Sequence, residues 1–296
     1  EKTRPTSEKL LKAWKSRFGY RQIPLLVVFI YQEKAYVCGP SGEKPPVYTG
    51  LDIGQIERIS NGALQEPNRH AANRLLAFYL PSIDNELPGI RNEGFLASNE
   101  LKYGATKRKD WDQSCKNAKN VLQGDSKNLL KLLGFTLEKK DNFTQFLKFN
   151  GQKRALGVYL DRGISPDASN KDFANQSPVS YGMSIATQEN LPYLIVQSGG
   201  LLRVYPTDTG KGVGRRGRTE TYLEINTSVL SDVDAGYLWL IFSGEALKPK
   251  GSLNQLIDTS HRYGSELAEG LRSRVYNQVI PILSKGIAEA KKLTTP

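Results

Sequence analysis

The sequence predicts an α/β protein in which a mixed sheet is flanked by helices, with a hairpin and further helices before it and a long helical segment after it. Two observations lead to this prediction. After residue 134, apolar and polar residues alternate in three short runs, as in strands that bury one face. Before and after these runs, apolar residues recur every three or four positions, which is typical of amphipathic helices.

Residues 1–134 are predicted to form the hairpin and its helices. The apolar run 25–31 and its partner 35–38 indicate two strands joined by a short polar turn. A basic amphipathic helix precedes the hairpin, and four stretches with helical spacing or capping signals follow it. The predicted helices are 7–18, 51–64, 68–80, 111–122 (capped by Asp110) and 126–133.

Residues 135–228 are predicted to form the sheet. Three alternating runs separated by short polar turns indicate an antiparallel meander, and a helix and further strands follow. The meander strands are 135–140, 143–149 and 155–160, the helix is 179–188, and the later strands are 193–197, 201–205 and 221–225. The order of meander, helix, strand and strand resembles the core of restriction-endonuclease-like proteins.

In that core, two acidic residues and a lysine hold a catalytic metal ion. Mg²⁺ takes hard oxygen ligands, so its carboxylates must stand at the ends of adjacent strands. The expected pattern is Asp on the second strand and Glu, any residue, Lys on the third. Here the second strand offers Thr144 and Gln145, and the third ends at Asp161. We therefore expect a degenerate nuclease core, with Mg²⁺ as a cofactor only if the nuclease is active.

Two sets of charged residues keep an active nuclease open as an alternative. Asp84, Glu100 and Lys102 reproduce the pattern literally, but they lie in a loop region before the meander. Asp161 with Asp167 is the second set. Solvated surface acids are the favoured explanation of both.

Composition limits the class of protein. The chain has 296 residues and a net charge of +11, which favours a polyanionic partner. Two cysteines and two histidines exclude a disulfide scaffold, argue against a zinc site and fit a reducing cytoplasm. No apolar run approaches the roughly 18 residues that cross a bilayer, so we expect a soluble protein without a membrane partner. Met183 is the only methionine, which predicts that the chain is a piece of a longer protein.

Two clusters of basic residues are candidates for DNA binding. The glycine-rich loop 210–218 can bring backbone N–H groups and arginine side chains close to phosphates. It is not a P-loop, because the Gly-Lys-Ser/Thr ending and the following helix are absent, and a solvated hairpin tip is the alternative. The candidates are Lys211, Arg215, Arg216 and Arg218 in the loop, and Lys107, Arg108 and Lys109 in the second cluster.

Residues 229–296 are predicted to be a helical connector. An apolar stretch over 230–247 leads into a basic amphipathic segment over 253–293. Pro281 removes one helix hydrogen bond and is expected to kink or split this segment near Gln278. A packing helix with a solvated charged face is the simplest explanation of its charges.

Common enzyme signatures are absent from the sequence. It contains no GxSxG elbow and no HExxH motif, and His70 and His261 offer no obvious triad. The Asn/Asp-Pro-Pro-Tyr/Phe signature of adenine methyltransferases is also missing. This segment is therefore not itself a methylating unit.

Four stretches share their pattern and order with a known class of proteins. They are 87–101 (LPGIRNEGFLASNEL) with 109–111, 177–205, 222–247 and 253–286. They resemble the N-terminal region of bacterial restriction-modification proteins that fuse a nuclease-like domain to an adenine-specific DNA methyltransferase, the type IIG class, and of phage-defence methylases such as those of DISARM systems. The resemblance implies a helical connector and a methyltransferase domain after Pro296, where S-adenosylmethionine would bind.

The same stretches contain two local features. Gln197, Ser198 and Gly199 resemble the Thr-Asn-Gly turn of such domains, which is structural and not catalytic. Arg91 and Asn92 stand between apolar residues and are expected to be buried hydrogen-bonding anchors.

The expected function is that of a non-methylating, DNA-engaging or regulatory N-terminal segment of a bacterial restriction-modification or phage-defence methyltransferase. Its expected partners are double-stranded DNA and the methyltransferase domain of the same parent chain, in the cytoplasm. Two alternatives stay open. One is an active Mg²⁺-dependent endonuclease, and the other is a protein-interaction scaffold whose helical segment docks the methyltransferase.

Overall fold

Two β-sheets with flanking helices make up the computed structural model, which describes residues 4–18, 25–40, 45–82, 87–161, 164–213 and 217–290. One sheet has three strands and the other has seven strands of mixed direction. This architecture confirms the predicted α/β class, with a hairpin and helices before the large sheet and helices after it. No helix within the described ranges is both long enough and apolar enough to span a membrane.

The three-stranded sheet and its helices come first in the chain. Their elements are α1 (Ser7–Phe18), β1 (Val27–Tyr31), β2 (Lys34–Cys38), β3 (Val47–Asp52), α2 (Ile53–Leu64) and α3 (Arg69–Ser82). The hairpin turn uses Gln32 and Glu33, both at positive φ, which matches the right-handed twist of the paired strands. Leu10 and Trp14 of α1 are buried against one face of the sheet. Helices α2 and α3 form a second cluster with β2 and β3.

Strand β3 differs from the prediction, which extended the following helix back to residue 51. The helix instead begins after Asp52, whose carboxylate accepts a hydrogen bond from the Gln55 N–H at 3.0 Å and caps it. Pro81 lies inside the last turn of α3 and does not end the helix before it.

The large sheet takes its strands from residues 90–226. Its strands are β4 (Ile90–Glu93), β5 (Thr136–Lys139), β6 (Thr144–Phe149), β7 (Gln152–Leu160), β8 (Tyr193–Ser198), β9 (Leu201–Pro206) and β10 (Tyr222–Asn226). They lie in the order β4-β10-β9-β8-β7-β6-β5. β7 and β8 are parallel, and the other five pairings are antiparallel. The predicted succession of meander, helix, strand and strand is therefore observed.

Helices cover both faces of this sheet. The helices after β4 are α4 (Trp111–Leu122), α5 (Leu129–Leu132), α6 (Pro178–Gln188), α7 (Gly236–Phe242), α8 (Ser252–Arg274) and α9 (Ile280–Ala290), of which α9 does not contact the sheet through its described residues. Helix α6 packs on one face, where Val179 and Met183 meet Val158 and Leu194. On the other face, buried residues of α4, α5, α7 and the start of α8 share one core with the sheet.

This shared core crosses the domain boundaries expected at residues 134 and 228. β4 and α4 precede residue 134 but belong to the large sheet and its core. Tyr237 of α7 is fully buried, and its hydroxyl donates to the Leu101 carbonyl at 2.8 Å. Leu253 and Leu256 of α8 are buried in the same cluster.

Helix α2 connects the small sheet to the segment after β10. The Gln55 side-chain amide donates to the carbonyl of Val229. The Arg58 guanidinium donates to the carbonyls of Thr227 and Leu230, and its Nη1 lies 3.2 Å from an Asp232 carboxylate oxygen. One arginine thus satisfies backbone acceptors that would otherwise lack partners at this junction.

Two features before α4 were not predicted. The stretch read as a loop contains β4 and a π-helical turn over Glu100–Gly104. Asp110 lies at the N-cap position of α4, but its side chain makes no capping hydrogen bond, so the predicted role of this carboxylate is wrong. The carboxylate instead accepts two hydrogen bonds from Arg108, each at 2.8 Å.

The C-terminal segment runs through Pro281 as helix. A π-helical turn over Val275–Val279 joins α8 to α9, and the Ile280 N–H bonds to the Val275 carbonyl five residues back. The predicted distortion near Gln278 is present as this wider turn, directly before the proline that lacks an N–H.

Gly182 sets how closely α6 approaches the sheet. A Cβ at this position would lie 2.6 Å from a Val158 methyl group and 2.8 Å from a Leu194 methyl group. We expect Gly182→Ala to lower the free energy of unfolding by about 1–3 kcal/mol, because overpacking outweighs the better helix propensity of alanine. Chemical denaturation of both proteins measures this difference.

Gly62→Ala in α2 is the matched control. A Cβ there meets only a Leu75 methyl group at 3.9 Å, an ordinary contact. This substitution should stabilise the protein by up to about 1 kcal/mol. Equal effects of the two alanines would contradict the close packing of α6.

Candidate functional site

The start of β6 and the ends of β7 and β8 lie side by side at one border of the large sheet, where these strands begin or end. Thr144 at the start of β6 pairs with Val158, and Leu160 at the end of β7 pairs with Ser198. A cleft of about 370 Å³ opens at this edge. Its polar lining comprises Lys127, Asn142, Tyr159, Asp161, Asp172 and Gln197. We call it the edge cleft.

Asp141 precedes β6 at this edge and is occupied by hydrogen bonds. Its carboxylate accepts from the backbone N–H groups of Phe143 and Thr144 at 2.8 and 2.7 Å. The hydroxyls of Thr144 and Tyr181 donate to the other oxygen at 2.6 and 3.2 Å. Burial opposes ionisation of Asp141, but these donors outweigh it and lower the pKa of the carboxyl group. Asp141 therefore shapes the turn that begins β6.

Asp161, Asp172 and Tyr159 line the edge cleft. Asp161 and Asp172 are exposed. Burial raises the pKa of Tyr159 to about 12, and its hydroxyl has no hydrogen-bond partner among the described residues. The Gln197 side chain donates to the Gly199 carbonyl at 3.2 Å, which fits the structural turn expected there. The cleft thus offers hydrogen-bonding groups with few carboxylates.

Residues 4–18, 25–40, 45–82, 87–161, 164–213 and 217–290 contain no group of three His, Cys, Asp or Glu side chains that could hold a metal ion. Glu100 and Lys102 lie in the π-helical turn after β4, and three strands separate β4 from the strand that leads to Asp161. Asp84 lies outside the described residues. The structure therefore does not bring Glu100 and Asp161 together.

Asp167 belongs to a different cluster, centred on Arg203. The Arg203 side chain is buried, and its Nη1 donates to Asp167 at 2.8 Å and to the Tyr205 hydroxyl at 3.3 Å. Its Nε donates to Glu224, directly opposite on β10. The Tyr222 ring centroid lies 4.7 Å from the guanidinium carbon. This cluster fastens the segment after β7 onto β9 and β10.

Arg91 and Asn92 differ in their surroundings. The Asn92 side chain accepts from the N–H groups of Phe95 and Leu96 and donates to the Leu96 carbonyl at 2.7 Å, so Asn92 is a hydrogen-bonding anchor. The side chain of Arg91 is 59% exposed and pairs with Glu93 at 2.8 Å. The expectation that Arg91 is buried is wrong, because β4 is an edge strand.

Lys211 and Arg218, the two cations of the glycine-rich loop that the structure describes, both make contacts within the protein. Lys211 lies 3.0 Å from Asp208 and 5.5 Å from the centre of the Tyr193 ring. Arg218 donates to the Thr207 carbonyl at 3.1 Å. These contacts lie where β8 begins and β9 ends, at the opposite edge from the edge cleft. Arg215 and Arg216 lie outside the described residues.

The second basic cluster precedes α4. Lys107 and Lys109 are exposed. Arg108 is occupied by Asp110 and by the Gln255 side chain at 2.9 Å. Two of the three predicted cations are thus available to a partner.

A third basic surface lies on α1, and the sequence analysis did not connect it with DNA. Four of its cations are exposed, whereas Leu10 and Trp14 of the same helix are buried. None of the four makes an ion pair with a described residue. They are Lys9, Lys12, Lys15 and Arg17. The signal was present in the sequence as the basic face of a predicted amphipathic helix.

Comparison of the chain with protein-family models, with curated proteins and with solved structures gave no significant match. The resemblance to restriction-modification proteins therefore stays a prediction.

Asp141→Asn should destabilise the protein in a pH-dependent way. The folded-state pKa lies below the ordinary value of 3.8, so the stabilisation is fully present above about pH 4 and is lost as the pH falls through the folded-state pKa. At neutral pH we expect a loss of about 1–2 kcal/mol, which shrinks in acid. Denaturation curves between neutral pH and pH of about 3 measure this change.

Asp161→Asn is the control for this measurement. The Asp161 side chain is exposed and makes no hydrogen bond or ion pair with a described residue, so the substitution should leave stability within about 0.5 kcal/mol. A loss in Asp141→Asn that did not change with pH would contradict the assignment of a charged hydrogen-bond acceptor.

Arg203→Met should lower the free energy of unfolding by about 3–5 kcal/mol, because it leaves the carboxylate of Glu224 without its buried partner. The double variant Arg203→Met/Glu224→Leu should recover much of this loss, since no buried charge remains. A double-mutant cycle in chemical denaturation tests the coupling. Additive losses would contradict it.

Proposed function

We propose that this chain is a DNA-engaging, non-methylating segment of a bacterial restriction-modification or phage-defence methyltransferase, with a degenerate nuclease core. One observation supports the proposal most directly. The strands β5 to β9 follow the order of the nuclease core, and the edge cleft lies where the carboxylates of such a core would stand.

The residues at the edge cleft support the proposal that the nuclease core has lost its metal-binding residues. At the head of the second strand, Asp141 is surrounded by four donors and cannot also serve a metal ion without losing them. At the end of the third strand, Tyr159, Leu160 and Asp161 stand in place of Glu, any residue, Lys. Mg²⁺ sites use one or two carboxylates, and Asp161 and Asp172 of the cleft belong to no group of three His, Cys, Asp or Glu side chains among the described residues. Asn142, which is exposed in the cleft, is better suited to a hydrogen bond with a nucleic acid than to metal binding.

The distribution of charge supports DNA as the partner. The net charge is +11, and exposed cations that make no ion pair with a described residue lie on α1 and at Lys107 and Lys109. Lysine and arginine that contact phosphates release condensed counterions, which gives affinity without sequence specificity. The proposed methyltransferase domain with its S-adenosylmethionine, and a cytoplasmic location, belong to the same proposal.

Binding of the purified chain to duplex DNA across a salt series tests the proposal. We expect Lys9→Gln/Lys12→Gln/Lys15→Gln to reduce the slope of log affinity against log salt by about 0.9 for each lost phosphate contact. Arg215→Ala/Arg216→Ala tests the glycine-rich loop in the same assay.

The matched control removes three cations that are already paired. Lys140 and Lys153 pair with Glu189, and Lys148 pairs with Glu138. Lys140→Gln/Lys148→Gln/Lys153→Gln changes the net charge by the same amount as the α1 variant but should affect the slope less. Equal effects of the two triple variants would show that net charge alone, and not the α1 surface, governs binding.

Mg²⁺ added in parallel tests the endonuclease alternative. Cleavage that Asp161→Asn abolishes would establish an active site at the edge cleft and refute degeneracy. No binding even at low salt would refute DNA engagement and leave the scaffold alternative, in which the helical segment docks the methyltransferase.

A further inference from the structure

The C-terminal helix carries an apolar surface that nothing in the described chain covers. Its first turns are buried through Leu256, Ile257 and Ser260, but every residue from 265 to 287 is exposed. Leu267, Leu271 and Leu283 are 61%, 64% and 56% exposed. Several large apolar side chains in one stretch exceed what a monomer normally leaves in water.

Six of these side chains follow each other at intervals of four residues. They are Leu267, Leu271, Val275, Val279, Leu283 and Ile287, and we call them the apolar stripe. In an α-helix, each step of four residues moves about 40° around the axis, so five steps would carry the stripe about 200° around the helix. An uninterrupted α-helix would therefore spread these residues over more than half of its circumference.

The π-helical turn over Val275–Val279 reduces this rotation. A π-turn holds one extra residue, which sets the following residues back by about 100°. The parts of the stripe before and after the turn therefore lie on nearly the same side. A partner helix can then contact the whole stripe, which extends about 30 Å along the helix from Leu267 to Ile287.

The stripe is symmetric about Asn277. In an antiparallel pair centred on this residue, Leu267 lies level with Ile287 of the second copy, and Leu271 lies level with Leu283. Val275 and Val279 meet in the middle in the same way. A second copy of this chain therefore presents a matching surface in the reverse direction, as isologous contacts require.

The charges of this segment fit the same arrangement. Residues 265–290 carry three acidic and three basic residues, so two copies do not repel each other. The acidic residues are Glu266, Glu269 and Glu289, and the basic residues are Arg272, Arg274 and Lys285. DNA fits poorly, since the segment has no net positive charge.

The surface that would be buried is sufficient for a specific interface. The stripe with Tyr276 and Ile280 provides eight large apolar side chains in each helix. Burial of each removes on the order of 60–100 Å² from water, so a pair of helices buries roughly 1,000–1,600 Å². Stable protein interfaces fall around this size.

We infer that residues 265–290 form an antiparallel helix pair with a second copy of this chain. Sedimentation of the full chain up to about 100 μM should show a dimer. Leu271→Lys/Leu283→Lys should weaken dimerisation more than about 100-fold. The helical content and melting temperature of the body of the protein should stay unchanged, because both leucines are exposed in the single chain.

Cysteine cross-linking tests the register. Leu271 lies level with Leu283 of the second copy, so a mixture of Leu271→Cys and Leu283→Cys chains should form a disulfide-linked heterodimer, while each variant alone should cross-link poorly. A parallel pair would reverse this pattern, because each variant would then cross-link with itself.

A monomer throughout the concentration range, or a dimer that Leu271→Lys/Leu283→Lys leaves intact, would overturn the inference. The stripe would then be a docking surface for a different protein, such as the methyltransferase of the scaffold alternative. DNA binding by α1 is measured separately, so failure of the dimer and failure of the proposed function are distinguishable.

Discussion

The parallel pairing of β7 with β8 is the constraint on which the rest of the large sheet depends. Parallel neighbours cannot be joined by a tight turn, so the chain must cross the sheet between them, and here α6 makes that crossing. Both faces of the pair are therefore covered, and Tyr193 to Gln197 are all buried. Gly182 allows α6 to lie directly on the two strands. The same pairing brings the ends of β7 and β8 to one edge and creates the edge cleft there.

The position of the cleft follows from topology, but its chemistry depends on a few side chains. Both carboxylate oxygens of Asp141 accept hydrogen bonds within the turn that begins β6. Asp167 forms an ion pair with Arg203 and not a cluster with Asp161. This ion pair holds the segment after β7 on the sheet. Asp141 and Asp167 thus stabilise the sheet and the segment after β7, whereas Asp161 and Asp172 are exposed at the cleft.

The sequence predicted those elements whose signal is local. The meander, α6, β8 and β9 have clear periodicity between turn residues, and Asn92 was expected as an anchor. β4 was missed because Arg91, Asn92 and Glu93 give an edge strand the composition of a loop. The Arg203 cluster could not be predicted, since its partners lie 36 and 21 residues away and meet it only through strand register and a long loop. The edge cleft was predicted only as a broken site, without its lining.

The basic surface of α1 and the apolar stripe lie near opposite ends of the chain. Lys9, Lys12, Lys15 and Arg17 are exposed on α1, whereas residues 265–290 carry equal numbers of acidic and basic residues and expose apolar side chains. Contacts with phosphates weaken steeply with salt, but burial of apolar surface does not. The two surfaces can therefore act independently, and a second copy on the helix would double the number of basic surfaces without changing any of them. Because linked binding sites raise the effective concentration at the second contact, dimerisation would strengthen DNA engagement even if each copy binds weakly.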